Sequence, residues 1–208
     1  MISGAAEHKL NPRVLNALAK QQADLATKQQ DGVIFYQNQE GDVTDITADI
    51  VGPVDTPFHG GVFRCRLVID SEFPNKPPKG YFLTKIFHPN VAQPAGDICV
   101  NTLKKDWNPA KWSLSHIFQT IKCLLIVPFP ESALNEEAGR LFMESYEEFF
   151  AQAKLYTEIH ARPSPKQLDL IKLNQKQQQE SKSSTSAGLF ASGSQPGTQT
   201  GSQVDQNQ

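Results

Sequence analysis

Apolar residues at Val14, Leu15, Leu18 and Leu25 recur at helical spacing through Pro12–Gln30, and Asp31-Gly32 stops the pattern. Pro12 suits a first helical turn, and Asn11 can cap it. Four strand-like runs follow, at Val33–Asn38, Val43–Gly52, Gly61–Asp70 and Gly80–Ile86. Turn signals separate them: Glu40-Gly41-Asp42, Gly52-Pro53, His59-Gly60-Gly61 and the proline-rich Phe73–Pro78. In the third run Phe63, Cys65, Leu67 and Ile69 alternate onto one face, which places Cys65 with the core. Short links between consecutive strands predict an antiparallel meander.

From His88 to Lys111 the periodicity disappears. Ser113 then caps a second predicted helix, with Leu114, Ile117, Phe118, Ile121, Leu124 and Leu125 as its apolar stripe. Cys123 lies in the same run and is expected in the core. Pro128 and Pro130 end that helix. Helical sequence resumes at Asn135 and continues to about His160, with a break near Ser145. The pattern predicts an α+β domain: an N-terminal helix, a four-stranded antiparallel meander sheet, an irregular loop bearing Cys99, and C-terminal helices. Residues 1–10 read as a flexible N-terminus and 11–161 as the folded domain. Residues 162–208 are rich in Gln, Ser and Gly. They lack the apolar content to offset ordering entropy and are expected to be a disordered tail, with a short helix possible at Leu168–Leu173.

A net charge of −2 with 20% charged residues gives no electrostatic case for nucleic-acid or membrane binding. No signal peptide is read at the N-terminus and no segment has the length of a membrane span. The three cysteines, Cys65, Cys99 and Cys123, are widely spaced and form no C-x-x-C pair. That disfavours a disulfide framework or a structural zinc site and fits a cytoplasmic or nuclear protein.

Cys99 differs from the other two. It follows the loop Pro94-Ala95-Gly96-Asp97 and belongs to no periodic run, so access is expected. Lys104, Lys105 and Lys111 nearby favour its thiolate. Nucleophile and inert loop cysteine both remain open on these grounds. His88 and Asn90 lie too close together in sequence to be the base and orienting residue of a protease triad. His88 reads as structural. Asn90 carries an uncharged amide suited to an oxyanion, or to pinning the loop through hydrogen bonds.

Taken together, His-Pro-Asn at 88–90, Gly-Asp-Ile-Cys at 96–99, Trp-Asn-Pro-Ala at 107–110 and Pro-Phe-Pro at 128–130 resemble the active-site signature of the ubiquitin-conjugating enzymes. The resemblance spans roughly residues 10–160. PPKGYFLTKIFHPN, KCLLI and PESALNEEAGRLF resemble the chain-elongating S-type branch. It implies the ubiquitin-conjugating fold, with Cys99 accepting ubiquitin as a thioester and passing it to a lysine. It further implies Asn90 as an oxyanion donor or loop support, and His88, Pro89, Asn101 and Ser132 as active-site support. Ser132 stands where many relatives carry an acidic residue. Lys76, Pro109 and Ala110 would help dock a ligase, although Asn75 replaces an exposed phenylalanine common in the family. No cofactor is implied, because ATP is used by the upstream activating enzyme. The implied partners are ubiquitin, the ubiquitin-activating enzyme and a RING-type ubiquitin ligase, which for the S-type branch is the anaphase-promoting complex; the implied linkage is through ubiquitin's eleventh-position lysine. The alternatives are another ubiquitin-like modifier, or a non-catalytic ubiquitin-binding variant. Two departures stand out. The loop from Asn90 to Cys99 is one residue longer than the family pattern, and GSQVDQNQ at the tail's end is not the lysine-rich end of the S-type branch.

Overall fold

The computed structural model describes residues 10–28, 30–36, 42–99, 103 and 107–190, with side-chain environments through 179. Asn101, Lys104 and Lys105 lie outside the described residues, as do the far end of the first strand-like run, the first nine residues and the tail from 191.

Helix α1 spans Pro12–Thr27, with Pro12 in its first turn and the Asn11 side chain accepting from the Arg13 N–H at 2.9 Å. The sheet follows as β1 Val33–Tyr36, β2 Asp45–Val51, β3 Val62–Val68 and β4 Lys79–Phe82, in the order β1-β2-β3-β4 and antiparallel throughout. Register sets its two faces. Ile46, Ala48 and Ile50 stand opposite Leu67, Cys65 and Phe63, and all six are buried. On the other face Asp49 stands opposite Arg64, the guanidinium bonding the carboxylate at 2.8 and 3.1 Å.

Helix α2, Leu114–Leu124, packs over β1 and β2, with α1 against it. Ser113 caps it by accepting from His116 N–H at 3.1 Å. All six stripe residues are buried. Burying such side chains contributes about 1.5–3 kcal/mol each. Cys123, expected in the core, is instead exposed. It directly precedes Leu124, so it sits about 100° around the helix from that inward-facing position. A short 3₁₀ turn, Pro130–Ser132, leads to α3, Glu136–Glu144, and α4, Tyr146–His160, which pack together. The break falls at Ser145, where the backbone leaves helical geometry.

The tail departs from the sequence reading. Pro165–Phe190 forms a helix, α5, in contact with β1, where composition predicted disorder from residue 162. Its described hydrogen bonds to the sheet are made by amide side chains, which hydrophobic patterning cannot register.

Candidate active site

The cysteine loop is held to the sheet's last strand. Ile98 N–H donates to Gly80 O and Phe82 N–H to Gly96 O, at 2.9 and 2.8 Å. Gly96 sits at φ +81°, and a Cβ there would lie 2.1 Å from Phe82 O, so only glycine fits this approach. Val91 bridges Ile98, Ala92 N–H donates to Asp97 O at 2.9 Å, and Gly96 N–H donates back to Ala92 O at 2.7 Å. The longer loop is thus closed within 92–97. Beyond that turn Cys99 N–H still reaches Asn90 O at 2.9 Å, which ties the cysteine directly to the His-Pro-Asn segment.

His88 is wholly buried between two backbone groups. Its Nδ1 accepts from Asn90 N–H at 3.0 Å, and its Nε2 lies 3.0 Å from Leu124 O. A carbonyl can only accept, so Nε2 carries the proton. Burial pushes its pKa down to about 4. With both ring nitrogens engaged and the ring neutral, His88 is unsuited to act as a base.

Asn90 has no solvent exposure. Its Nδ2 donates to Phe129 O at 2.6 Å and Ser132 O at 3.1 Å, while its Oδ1 accepts from Phe129 N–H at 2.8 Å. Both amide protons are therefore already given to loop carbonyls, and none is left over for an oxyanion. Pro89 O accepts from Leu134 and Asn135 N–H at 2.8 and 3.0 Å. The His-Pro-Asn segment thus carries the backbone of residues 129–135. Ser132 joins this frame through its carbonyl, an acceptor that any residue could supply.

Cys99 is 5% exposed, more enclosed than a loop position predicts. Cys65 is fully buried, and burial pushes its thiol pKa up. Among the described residues no group of His, Cys, Asp or Glu is arranged to hold a metal ion, and no helix is long and apolar enough to cross a membrane.

The docking candidates come together on a second surface. Phe73 packs against Trp107 and Trp112 at ring-centroid distances of 5.8 and 4.5 Å, and Trp107 Nε1–H donates to Pro74 O at 2.8 Å. This joins the loop bearing exposed Asn75 and Lys76 to the loop bearing exposed Pro109 and Ala110. Lys76 pairs with Glu72 at 2.6 Å.

Fold and site define a domain that holds Cys99 on an α+β frame, with no histidine among the described residues poised as its base. Residues 17–157 match the family model described as ubiquitin-conjugating enzyme. The chain is 53% identical to ubiquitin-conjugating enzyme E2 22 of Arabidopsis thaliana over 78% of its length and 63% of the relative's. It is 54% identical to ubiquitin-conjugating enzyme E2 S of Branchiostoma floridae over 76% of its length and 72% of the relative's. A solved structure of a candidate ubiquitin conjugating enzyme from Plasmodium yoelii matches with a TM-score of 0.65 at 28% identity, covering 75% of this chain and 99% of that one. The chain belongs to the ubiquitin-conjugating enzyme family, a family of transferases. It spans just under two thirds of the plant relative's length.

Proposed function

We propose that this chain accepts the C-terminal glycine of ubiquitin on Cys99 and transfers it to a lysine. The observation that carries this is the tie between Cys99 and Asn90 within a frame that positions the adjacent 129–135 segment. In loading, the Cys99 thiolate attacks the thioester carbonyl on the activating enzyme and displaces that enzyme's thiolate. In transfer, a lysine amine attacks the Cys99 thioester, the amine gives up a proton to solvent water, and the Cys99 thiolate leaves as the amide forms. Asn90 is a positioning residue that acts through residues 129–132. Neutral His88 fixes the turn beneath it. ATP is consumed upstream, so no bound cofactor is required, and the setting is cytoplasmic or nuclear.

The finer reading is chain elongation through ubiquitin's eleventh-position lysine, with a RING-type ligase such as the anaphase-promoting complex. It is supported by the E2 S relatives and by Ser132, a weak base, in place of an acid. The joined Phe73–Lys76 and Trp107–Ala110 loops are the proposed ligase surface.

The test is a charging reaction with activating enzyme, ATP and ubiquitin. A reductant-sensitive adduct should form, vanish in Cys99→Ala and persist in Cys123→Ala. An adduct surviving Cys99→Ala would sink the assignment. Parallel reactions with other modifiers separate ubiquitin from its relatives, and mass spectrometry of the chains reads the linkage.

A further inference from the structure

Helix α5 lies against the molecule with little apolar contact beyond half-buried Leu170 and Ile171. Its described contacts with the domain run through Gln167, Ile171 and Asn174, one face of a helix at spacings of four and three, while Gln178 Nε2 donates to Asn174 Oδ1 at 2.6 Å within the helix. Two of these three are amides. Leu170 and Ile171 are half-buried, whereas Leu168 and Leu173 are 41% and 48% exposed.

The amides find specific partners. Asn174 is 5% exposed, and its Nδ2 lies 3.3 Å from Gln30 O and 3.4 Å from Val33 O. These carbonyls lie just before and at the start of β1, one of the sheet's two edge strands, where a bare edge invites another chain. Gln167 divides its amide between two tasks. Its Oε1 accepts from Ser164 N–H at 2.9 Å while Gln167 N–H donates to Ser164 Oγ at 3.3 Å, a reciprocal cap that starts the helix. Its Nε2 donates to Asp49 Oδ2 at 2.6 Å on the sheet's outer face. Asp49 has no exposure and also receives Arg64 and Tyr36. Between these anchors the fit is loose. A cavity of about 390 Å³ separates Ile171, Asn174 and Gln175 from Gly32, Ile34 and Val51.

We propose that the sheet's outer face and β1 edge form an interaction surface whose resident occupant is this chain's own α5, docked in cis and detachable. Anchors of this kind suit reversible docking. A hydrogen bond exchanged for one with water contributes little net stability, and a cavity forfeits packing contacts. Docking also depends on the donor character of the two amides, so the surface can be opened without touching the domain's core. The contacts fall on Gln30, Val33 and Asp49, outside the cysteine loop and residues 129–135.

Two near-isosteric substitutions in the full chain test this. Asn174→Asp sets a carboxylate against two carbonyls. Gln167→Glu keeps the capping oxygen and sets a carboxylate against Asp49. Neither removes a cap or greatly changes helix propensity. Hydrogen exchange by NMR should show amides 168–178 protected in the parent protein. They should exchange at least about tenfold faster in either variant. The amides of β3 and α2 should be unchanged, as should the whole pattern in Lys172→Ala, a change at an exposed position on the same helix. Equal α5 exchange in parent and both variants, fast or slow, overturns the proposal. So does protection that falls on dilution, which would make a second copy's tail the occupant.

Discussion

The segment carrying Asn90 and the segment carrying Asn174 use the same chemistry to different ends. In each, a buried asparagine gives its amide protons to two backbone carbonyls distant in sequence. Asn90 is the tighter of the two: its bonds are 2.6–3.1 Å, its oxygen accepts from a backbone N–H where that of Asn174 accepts from Gln178 on its own helix, and it sits amid the packed core of Phe87, Val91 and Leu124. Asn174 bonds at 3.3 and 3.4 Å beside a cavity. An amide clamp takes its strength from what packs around it, because an unmade hydrogen bond is costly only where water cannot replace it.

The largest effect should therefore come from Asn90→Ala. Phe129 N–H, Phe129 O and Ser132 O lose the Asn90 side chain together, with Phe129 O keeping Ser132 N–H, and the domain should lose roughly 3–5 kcal/mol, about 10 °C in Tm. Asn174→Ala should change global stability by less than about 1 kcal/mol, because water reaches the freed carbonyls. Thermal unfolding of the two variants side by side checks the contrast, and equal losses would break it.

Next comes acid. His88 titrates near its ordinary 6.5 when unfolded but at about 4 when folded. Between those values the unfolded chain binds more protons, so His88's contribution is complete above about pH 6.5 and falls away as pH drops toward 4. The loss is roughly 3 kcal/mol. Urea unfolding across that window should show a shallower pH slope in His88→Gln. An unchanged slope would remove His88 as the cause.

The smallest effects should come from α5's exposed leucines. Leu168→Ala and Leu173→Ala should leave stability within about 0.5 kcal/mol of the parent. A larger loss by chemical denaturation would mean that α5 docks through an apolar face after all.

The same contrast explains what the sequence could and could not reveal. The α2 stripe was readable because its apolar spacing is itself the reason those residues are buried. The break at Ser145, the Asn11 and Ser113 caps and the antiparallel meander followed from local chemistry in the same way. Cys123 was misplaced because an unbroken apolar run conceals which face each member takes. Cys99 and the His-Pro-Asn segment could be recognised as motifs. Their joint frame could not, because Asn90 reaches backbone groups about forty residues away, and a carbonyl leaves no trace in residue identity. Ser132 drew notice for a side chain in a position where the structure uses its carbonyl. Helix α5 was foreseen only as a short helix at Leu168–Leu173, because glutamine and asparagine read equally well as a solvated tail or as a docking stripe. The Ser164–Gln167 capping box was its one local signal.

The central claim is that Cys99 carries the acyl group while Asn90 governs transfer through the segment it holds. A single-turnover experiment tests it most directly: load Asn90→Ala with ubiquitin well below its melting temperature, then follow discharge to free lysine, correcting both rates for folded protein. Loading should stay within about threefold of the parent, and discharge should fall by about a hundredfold, the scale expected for a misplaced reacting group. Equal losses in the two steps would contradict the account and leave Asn90 as a folding residue only.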